Sequence, residues 1–376
     1  MVTDKIISGE IAWLITSLAT ETNFGLDMLR QSPATHSCVV SPISVMFALA
    51  MVQMGSKGRT KTQINKAISN GESDDHIINY YSSLSHEIGK AKNGVKTQIA
   101  NAFFVDGKYN IKSNYRDGIT AKFSANVSTL NFGHTQESAE TINNFVSRAT
   151  GGKIKNFVGA SSLQGTNSLL VNAIYFMAEW EHKFSKKFTY KGKFFYAEGR
   201  TKQVDYMNAE RVHRAYAENG DMRVLSLPYA DSAYAMNIFL PKKRYGLDDL
   251  LAKINGATIQ SMLSHLKKTR ASITIPKMKL DTHFNLKAAL IAMGVTEMFS
   301  RGADLSGISD SPIVVSDATH KAIIEMDEES TTASAASSFR FSYKSFSKIQ
   351  RFIANHPFFF IVTKSGHPLF MGKFRG

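Results

Sequence analysis

The sequence predicts an α+β fold built as one large domain. Three observations predict it. Apolar residues recur at helical spacing in the opening ninety residues. Long apolar and alternating runs of strand character dominate from Thr97 onward. No Pro-, Gly- or Ser-rich segment separates the two halves: of 8 prolines, none lies between Ile43 and Leu227. The expected domain therefore spans residues 1–376.

The elements follow in order. Residues 11–19, IAWLITSLA, end in Ser-x-Ala as a cleavable signal would. Glu10 interrupts the apolar run and Asp4 offsets Lys5, so the stretch reads instead as the amphipathic start of the first helix. Cys38 lies in the apolar run Cys38-Val39-Val40 and reads as a small buried hydrophobe. Pro42 stands just before a helical face of Phe47, Met51 and Met54 with Ala48 and Val52. TQIANAFFV (97–105) reads as a strand, and 139–149 as a helix stopped by Gly151-Gly152. NSLLVNAIYFMAEW (167–180) is a long apolar strand with Asn172 in its middle, which suggests burial on both faces.

Strands are expected over 201–241, a helix over 247–266, a strand over 273–280 and a helix over 286–293 ending at Gly294. A strand after Pro312 should reach Met326. FFFIVTK and PLFMGKF should close the chain around the turn Ser365-Gly366.

The formal charge is +14, from 45 Lys+Arg against 31 Asp+Glu. The densest basic runs are 183–193, Lys242-Lys243-Arg244, and Lys267-Lys268 with Arg270. No nucleic-acid motif accompanies them, so they read as a solvated basic surface, with a polyanion such as heparin as the alternative partner. A single cysteine forbids an intrachain disulfide and mildly favours a reducing compartment. The expected location is cytoplasmic, with secretion the alternative; the sequon Asn126-Val127-Ser128 matters only in the second case. No run of ~20 uncharged apolar residues offers a membrane span. A monomer is expected.

Enzyme motifs are missing. The sequence holds no G-x-S-x-G elbow, H-E-x-x-H pair, Walker loop or G-x-G-x-x-G. One Cys excludes metal sites built on Cys pairs, and no cofactor is expected. Ser316, Asp317 and His320 lie together in VSDATH, but a triad needs convergence in space. His320 sits in an apolar strand region and reads as a structural histidine.

FIANHPFFFIV (352–362) and PLFMGKF (368–374) resemble signatures of the serpin family. The resemblance extends backward through SPISVMFALAMVQMG, GRTKTQI, LLVNAIYFMAEWEHKF, SLPYADSAYAMNIFLP, ITIPKMKLDTHFNLKAALIAMG, ADLSGI and VSDATHKAIIEMDEES. It implies about nine helices and three β-sheets, one of which can accept a further strand. It also implies an exposed reactive loop over about 328–350. In inhibitory members a serine protease attacks this bait, and the loop then inserts into the large sheet with the protease still attached, a known case of stored strain released by cleavage.

The resemblance assigns the hinge to Glu328, Glu329, Ser330, Thr331, Thr332, Ala333, Ser334, Ala335 and Ala336. Ser330 departs from the usual Gly. Counting from Glu328 places the reactive bond at Lys344-Ser345, and a Lys there fits the acidic pocket of trypsin-like proteases. Arg340 and Tyr343 are weaker candidates. Ser41, Ser44, Asn172 and His320 match the buried polar cluster beneath the sheet opening, and Trp180 matches the residue where insertion starts. Met177 and Ala178 depart from the usual Lys-Gly. The implied partner is a trypsin-like serine protease. A non-inhibitory carrier or chaperone, and an inhibitor of papain-like cysteine proteases, are the alternatives.

The loop also has its own periodicity. Alternate residues of a strand face opposite sides. Thr331, Ala333, Ala335, Ser337, Phe339, Phe341 and Tyr343 form one set and hold every large apolar side chain of the stretch. The opposite set holds Arg340 and Lys344. This pattern is an amphipathic strand with a small leading half.

Overall fold

A chain that carries helical spacing first and strand alternation later must bury one class of element against the other. The computed structural model describes residues 2–328 and 349–376, with side chains from Ile11 onward. Helix α1 (Val2–Arg30) runs unbroken through IAWLITSLA. Strand β1 (Cys38–Val40) precedes α2 (Pro42–Gly55), α3 (Gly58–Ile68) and α4 (Asp74–Gly89). Pro42 opens α2, where its missing N–H is tolerated, and Ser41 caps it by accepting from Ser44 N. Nearly every residue of α2 is buried, as its all-round apolarity requires.

Next come β2 (Val95–Asp106), α5 (Ser113–Phe123), β3 (Asn126–Leu130), α6 (Thr135–Ala149) and β4 (Ser168–Ala178). Strand β4 is buried on both faces. Leu170, Ile174 and Phe176 enter the main core, while Leu169, Val171, Ala173 and Tyr175 enter a second core with Ala139, Ile142 and Val146 of α6. A strand-rich stretch follows: β5 (Tyr190–Ala197), β6 (Arg200–Glu218), β7 (Met222–Pro228) and β8 (Tyr234–Pro241). The chain continues through α7 (Leu247–Lys253), α8 (Gly256–Ser264), β9 (Lys267–Pro276), β10 (Met278–Asn285), α9 (Leu286–Ala292) and β11 (Asp317–Met326). It closes with β12 (Gln350–Ile353), β13 (Phe358–Lys364) and β14 (His367–Phe374). The nine α-helices among the described residues agree with the expected number.

Hydrogen bonding defines a five-stranded sheet, β10-β11-β4-β2-β3, and a nine-stranded one, β1-β14-β13-β8-β7-β6-β9-β12 with β5 on β6. The resemblance implies three sheets. Here two of them are joined through β6, which pairs with β9 over residues 206–216 and with β7 over residues 215–218.

Local readings differ from the structure in four places. The run Cys38-Val39-Val40 is a strand on β14, with Val39 opposite Gly372, rather than part of a helical stretch. The helix expected over 247–266 is two helices. Asn255 interrupts it, because its side chain accepts from Thr258 N and so caps a new start. The strand expected over 273–280 is also two, β9 and β10, in different sheets. Pro276 supplies no N–H, and Lys277 N turns away to Asp205 O. Helix α6 begins at Thr135, four residues ahead of the apolar pattern, while α5 and β3 carried no clear periodic signal.

The break between α7 and α8 lets α8 approach α1 closely. A Cβ on Gly256 would sit 2.1 Å from Ala19 O. Gly256→Ala should therefore cost about 1–3 kcal/mol through forced separation of the two helices. Urea unfolding of the variant measures this; unchanged stability would mean that the contact relaxes freely.

Candidate functional site

The five-stranded sheet has one seam unlike the two that flank it. Strand β10 runs antiparallel to β11, and β2 runs antiparallel to β4. Between them β11 and β4 run parallel and pair directly from Asp317↔Leu169 to Ile324↔Phe176. Parallel pairing is slightly less stable per residue. Strand β11 then leads through Asp327 to Glu328, the last described residue before residues 329–348.

The register places a row of polar side chains across this seam. Asn101 of β2 lies opposite Asn172 of β4, and Asn172 opposite His320 of β11. All three are buried, on the face that meets α2. Asn172 Nδ2 donates to Ser44 O at 2.9 Å and Ser44 Oγ at 2.7 Å, and also approaches Asn101 Oδ1 at 2.5 Å. That use of Nδ2 leaves Oδ1 as the acceptor for His320 Nδ1–H, 2.5 Å away. On the other side of the ring, Ser41 N donates to His320 Nε2 at 3.0 Å. Ser41 Oγ donates to Leu369 O of β14 at 2.6 Å. Ser41, Ser44, Asn172 and His320 thus meet in one cluster.

The tautomer follows from the partners. Nε2 accepts from a backbone amide, so it cannot carry a proton without losing that bond. Burial pushes the His320 pKa down to about 3. The cluster is a neutral network that clamps β4 to β11 and seats the start of α2 beneath the seam.

At the far end of the seam, Trp180 Nε1 donates to Asp327 O at 2.7 Å. Its ring stacks on Tyr229 at 4.6 Å and meets Phe184 edge-on at 6.0 Å. Glu328 is buried here. Thr189 Oγ1 donates to its Oε1 at 2.6 Å, Lys277 Nζ sits 2.8 Å from its Oε2, and Phe184 N donates to its backbone oxygen at 3.2 Å. Burial pushes the carboxyl pKa up, and the Lys277 and Thr189 hydrogen bonds outweigh it, holding Glu328 below the ordinary carboxylate range.

Other expectations resolve plainly. Ser316 Oγ accepts from Asn167 N and Ser168 N and does not meet His320, so VSDATH forms no triad. Met177 packs half-buried on the second core, and Ala178 pairs with Val95. Cys38 is buried, and burial raises its pKa. Among the described residues no group of three or more His, Cys, Asp and Glu could hold a metal, and no helix is long and apolar enough to cross a membrane. Glu329, Ser330, Thr331, Thr332, Ala333, Ser334, Ala335 and Ala336 of the hinge, together with Arg340, Tyr343, Lys344 and Ser345, lie outside the described residues. Sequence reasoning missed Asn101, Thr189 and Lys277. Asn101 left a signal, a lone amide inside TQIANAFFV; the other two left none.

The Serpin (serine protease inhibitor) family model matches residues 19–375, and the chain belongs to the serpin family. It is 32% identical to the leukocyte elastase inhibitor of Xenopus laevis, over 94% of this chain and 97% of that protein. It is 31% identical to serine protease inhibitor 42Dd of Drosophila melanogaster, over 96% of each. Uncleaved ovalbumin superposes with a TM-score of 0.85 at 27% identity, covering 96% of this chain and 100% of that one.

The neutral His320 sets a pH dependence. Its folded pKa lies below the ordinary 6.5, so the unfolded chain binds the extra proton. The stabilisation is complete above pH ~6.5 and is lost as pH falls towards ~3, at about 1.4 kcal/mol per pH unit. Between pH 6.5 and 5 the protein should lose about 2 kcal/mol that His320→Gln does not lose. Urea titrations at both pH values, with wild type and variant in parallel, check the slope; equal slopes would place the titration elsewhere.

Proposed function

We propose that this serpin is a suicide-substrate inhibitor of trypsin-like serine proteases, acting as one domain over residues 1–376. The observation that supports it most is the β11–β4 seam. A strand that leaves the end of β11 and turns back between the two would run antiparallel to both. One parallel ladder of eight residue pairs would become two antiparallel ladders. The extra ladder adds roughly eight hydrogen bonds, worth about 4–12 kcal/mol net. That is the order of a whole protease's folding stability, about 5–15 kcal/mol, and so enough to distort an active site held against the moving loop.

The alternation of the loop suits this slot. Thr331, Ala333, Ala335 and Ser337 would pass first over the Asn172–His320 clamp, where a small side chain disturbs least. Phe339 and Phe341 would follow on the same face. Insertion must break the bond between His320 and Asn172, because those side chains span the ladder that opens. In this reading Lys344-Ser345 is the bait bond, Glu328 with its Lys277 and Thr189 contacts is the fixed end of the hinge, and Trp180 marks where the seam first parts.

Ser330 favours a second reading. Glycine tolerates backbone angles that Ser does not, and a slow hinge would let the protease deacylate and leave. The chain would then be cleaved as a substrate, as a non-inhibitory serpin would be. Mixing with trypsin separates the two. The inhibitory reading expects an SDS-stable covalent complex near one-to-one and a released fragment whose sequence begins at Ser345. Cleavage without complex supports the second reading, and a fragment starting elsewhere reassigns the bond.

Thr331→Arg tests the insertion step itself. It would bury an unpaired charge, at a cost of about 3–5 kcal/mol. Trypsin should still bind and cleave this variant, while the covalent complex disappears on SDS gels. An unchanged yield of complex would show that the loop does not insert.

A further inference from the structure

A cleft of about 260 Å³ lies outside the seam, where four parts of the chain meet. The turn between β5 and β6 brings Tyr196 and Glu198, and the start of α7 brings Tyr245, Leu247 and Asp248. Pro357, just before β13, and Arg375, just after β14, complete it. Leu247 and Pro357 are buried and supply an apolar lining. Tyr196 is 37% exposed and Tyr245 is 38% exposed. Tyr196 sits where the β5–β6 register shifts, between Phe195↔Thr201 and Ala197↔Arg200. Such a bulge re-aims a side chain, and bulges concentrate beside sites. The backbone here is held: Phe195 N donates to Asn355 O at 2.8 Å, and Arg375 N to Ser37 Oγ at 2.8 Å. A frame fixed in advance lowers the ordering cost of binding.

The cleft also holds unmet polar capacity. Arg375 Nη2 donates to Asp248 Oδ1, which commits that carboxylate. Arg375 Nε is buried and has no hydrogen-bond partner among the described residues. A buried guanidinium N–H without an acceptor is costly and calls for one. Glu198, Tyr196 and Tyr245 make no side-chain hydrogen bond or ion pair with any described residue. Two carboxylates against one guanidinium make the cleft net negative, in a chain whose formal charge is +14.

We propose that this cleft binds a zwitterion of the phosphocholine kind, with its phosphate on Arg375 Nε and its quaternary ammonium against Glu198, Tyr196 and Tyr245. A bare anion would meet Glu198 and Asp248 with nothing to offset them. A bare cation would leave Nε without an acceptor. A molecule carrying both charges answers both demands. The cation is quaternary because a primary ammonium has three N–H groups to satisfy, and the cleft offers one free carboxylate. A quaternary ammonium donates no hydrogen bond and is the cation that aromatic rings recognise best. The volume lies just below the usual range for small-molecule sites and suits a ligand of this size.

Calorimetric titration with free phosphocholine, choline and inorganic phosphate tests the site, and sedimentation with phosphatidylcholine vesicles tests the source of the headgroup. Free phosphocholine should bind one-to-one and at least about tenfold more tightly than choline or phosphate alone. Tyr196→Ala/Tyr245→Ala should weaken it about tenfold, Glu198→Gln about threefold and Arg375→Lys about tenfold. Binding of the free compound alone upholds the site for a soluble ligand; pelleting with vesicles as well upholds it for a lipid surface. The proposal is overturned if phosphocholine shows no saturable binding in either form, or if phosphate alone binds as tightly. Binding that all three variants leave unchanged also overturns it, by placing the ligand elsewhere on the surface. So does a loss confined to Arg375→Lys, because the exposed Glu198 and tyrosine positions report the site without disturbing the Arg375–Asp248 pair.

Discussion

The parallel pairing of β11 with β4 is the constraint on which the rest of the molecule depends. The pairs that flank it, β10–β11 and β4–β2, are antiparallel, so accepting one strand in this seam would make the run from β10 to β2 antiparallel throughout. Both faces of β4 are covered, by α2 on one side and α6 on the other, so a strand entering there would gain burial at once. The chain that leaves β11 begins at that seam. Connectivity, burial and strand direction thus favour the same rearrangement, which requires opening a ladder that is already satisfied.

What holds the ladder closed is polar. Asn172 and His320 bond across it, and Ser41 and Ser44 at the start of α2 and Asn101 of β2 complete their needs. An apolar pair in the same place would pack without direction. Buried amide and imidazole groups instead demand partners, and losing one costs about 1–3 kcal/mol. The clamp therefore gives the closed seam a defined threshold, and it links that seam to the start of α2 and to Leu369 of β14. Glu328 does similar work at the exit, where a buried carboxylate is matched by Lys277 and Thr189.

Much of this was legible in the residues, and the limits have physical causes. Asn172 and His320 stood out because a polar group inside an apolar strand must have a partner. Pro42 announced the start of α2. The two wrong continuities, over 247–266 and 273–280, arose because hydrophobic periodicity reports which face is buried and not which partner buries it. Asn255 and Pro276 were visible in the sequence, but their force as breaks depends on α1 and β6, which approach from far along the chain. The joining of two sheets through β6 was equally hidden, since one long strand can serve two partners without any change in its own pattern.

By itself the sequence determined the class of fold, the buried helix α2, the doubly buried strand β4 and an amphipathic stretch over 331–344 with nothing local to pair it. These follow from side-chain chemistry and spacing, which are local. The tertiary structure alone decided that β11 and β4 are parallel neighbours, that Asn101 joins the clamp, and that Lys277 and Thr189 converge on Glu328. Strand direction and register are relations between segments far apart in the chain, 148 residues for Asn172 and His320 and 71 for Asn101 and Asn172, set by how the whole core packs, and no single segment encodes them.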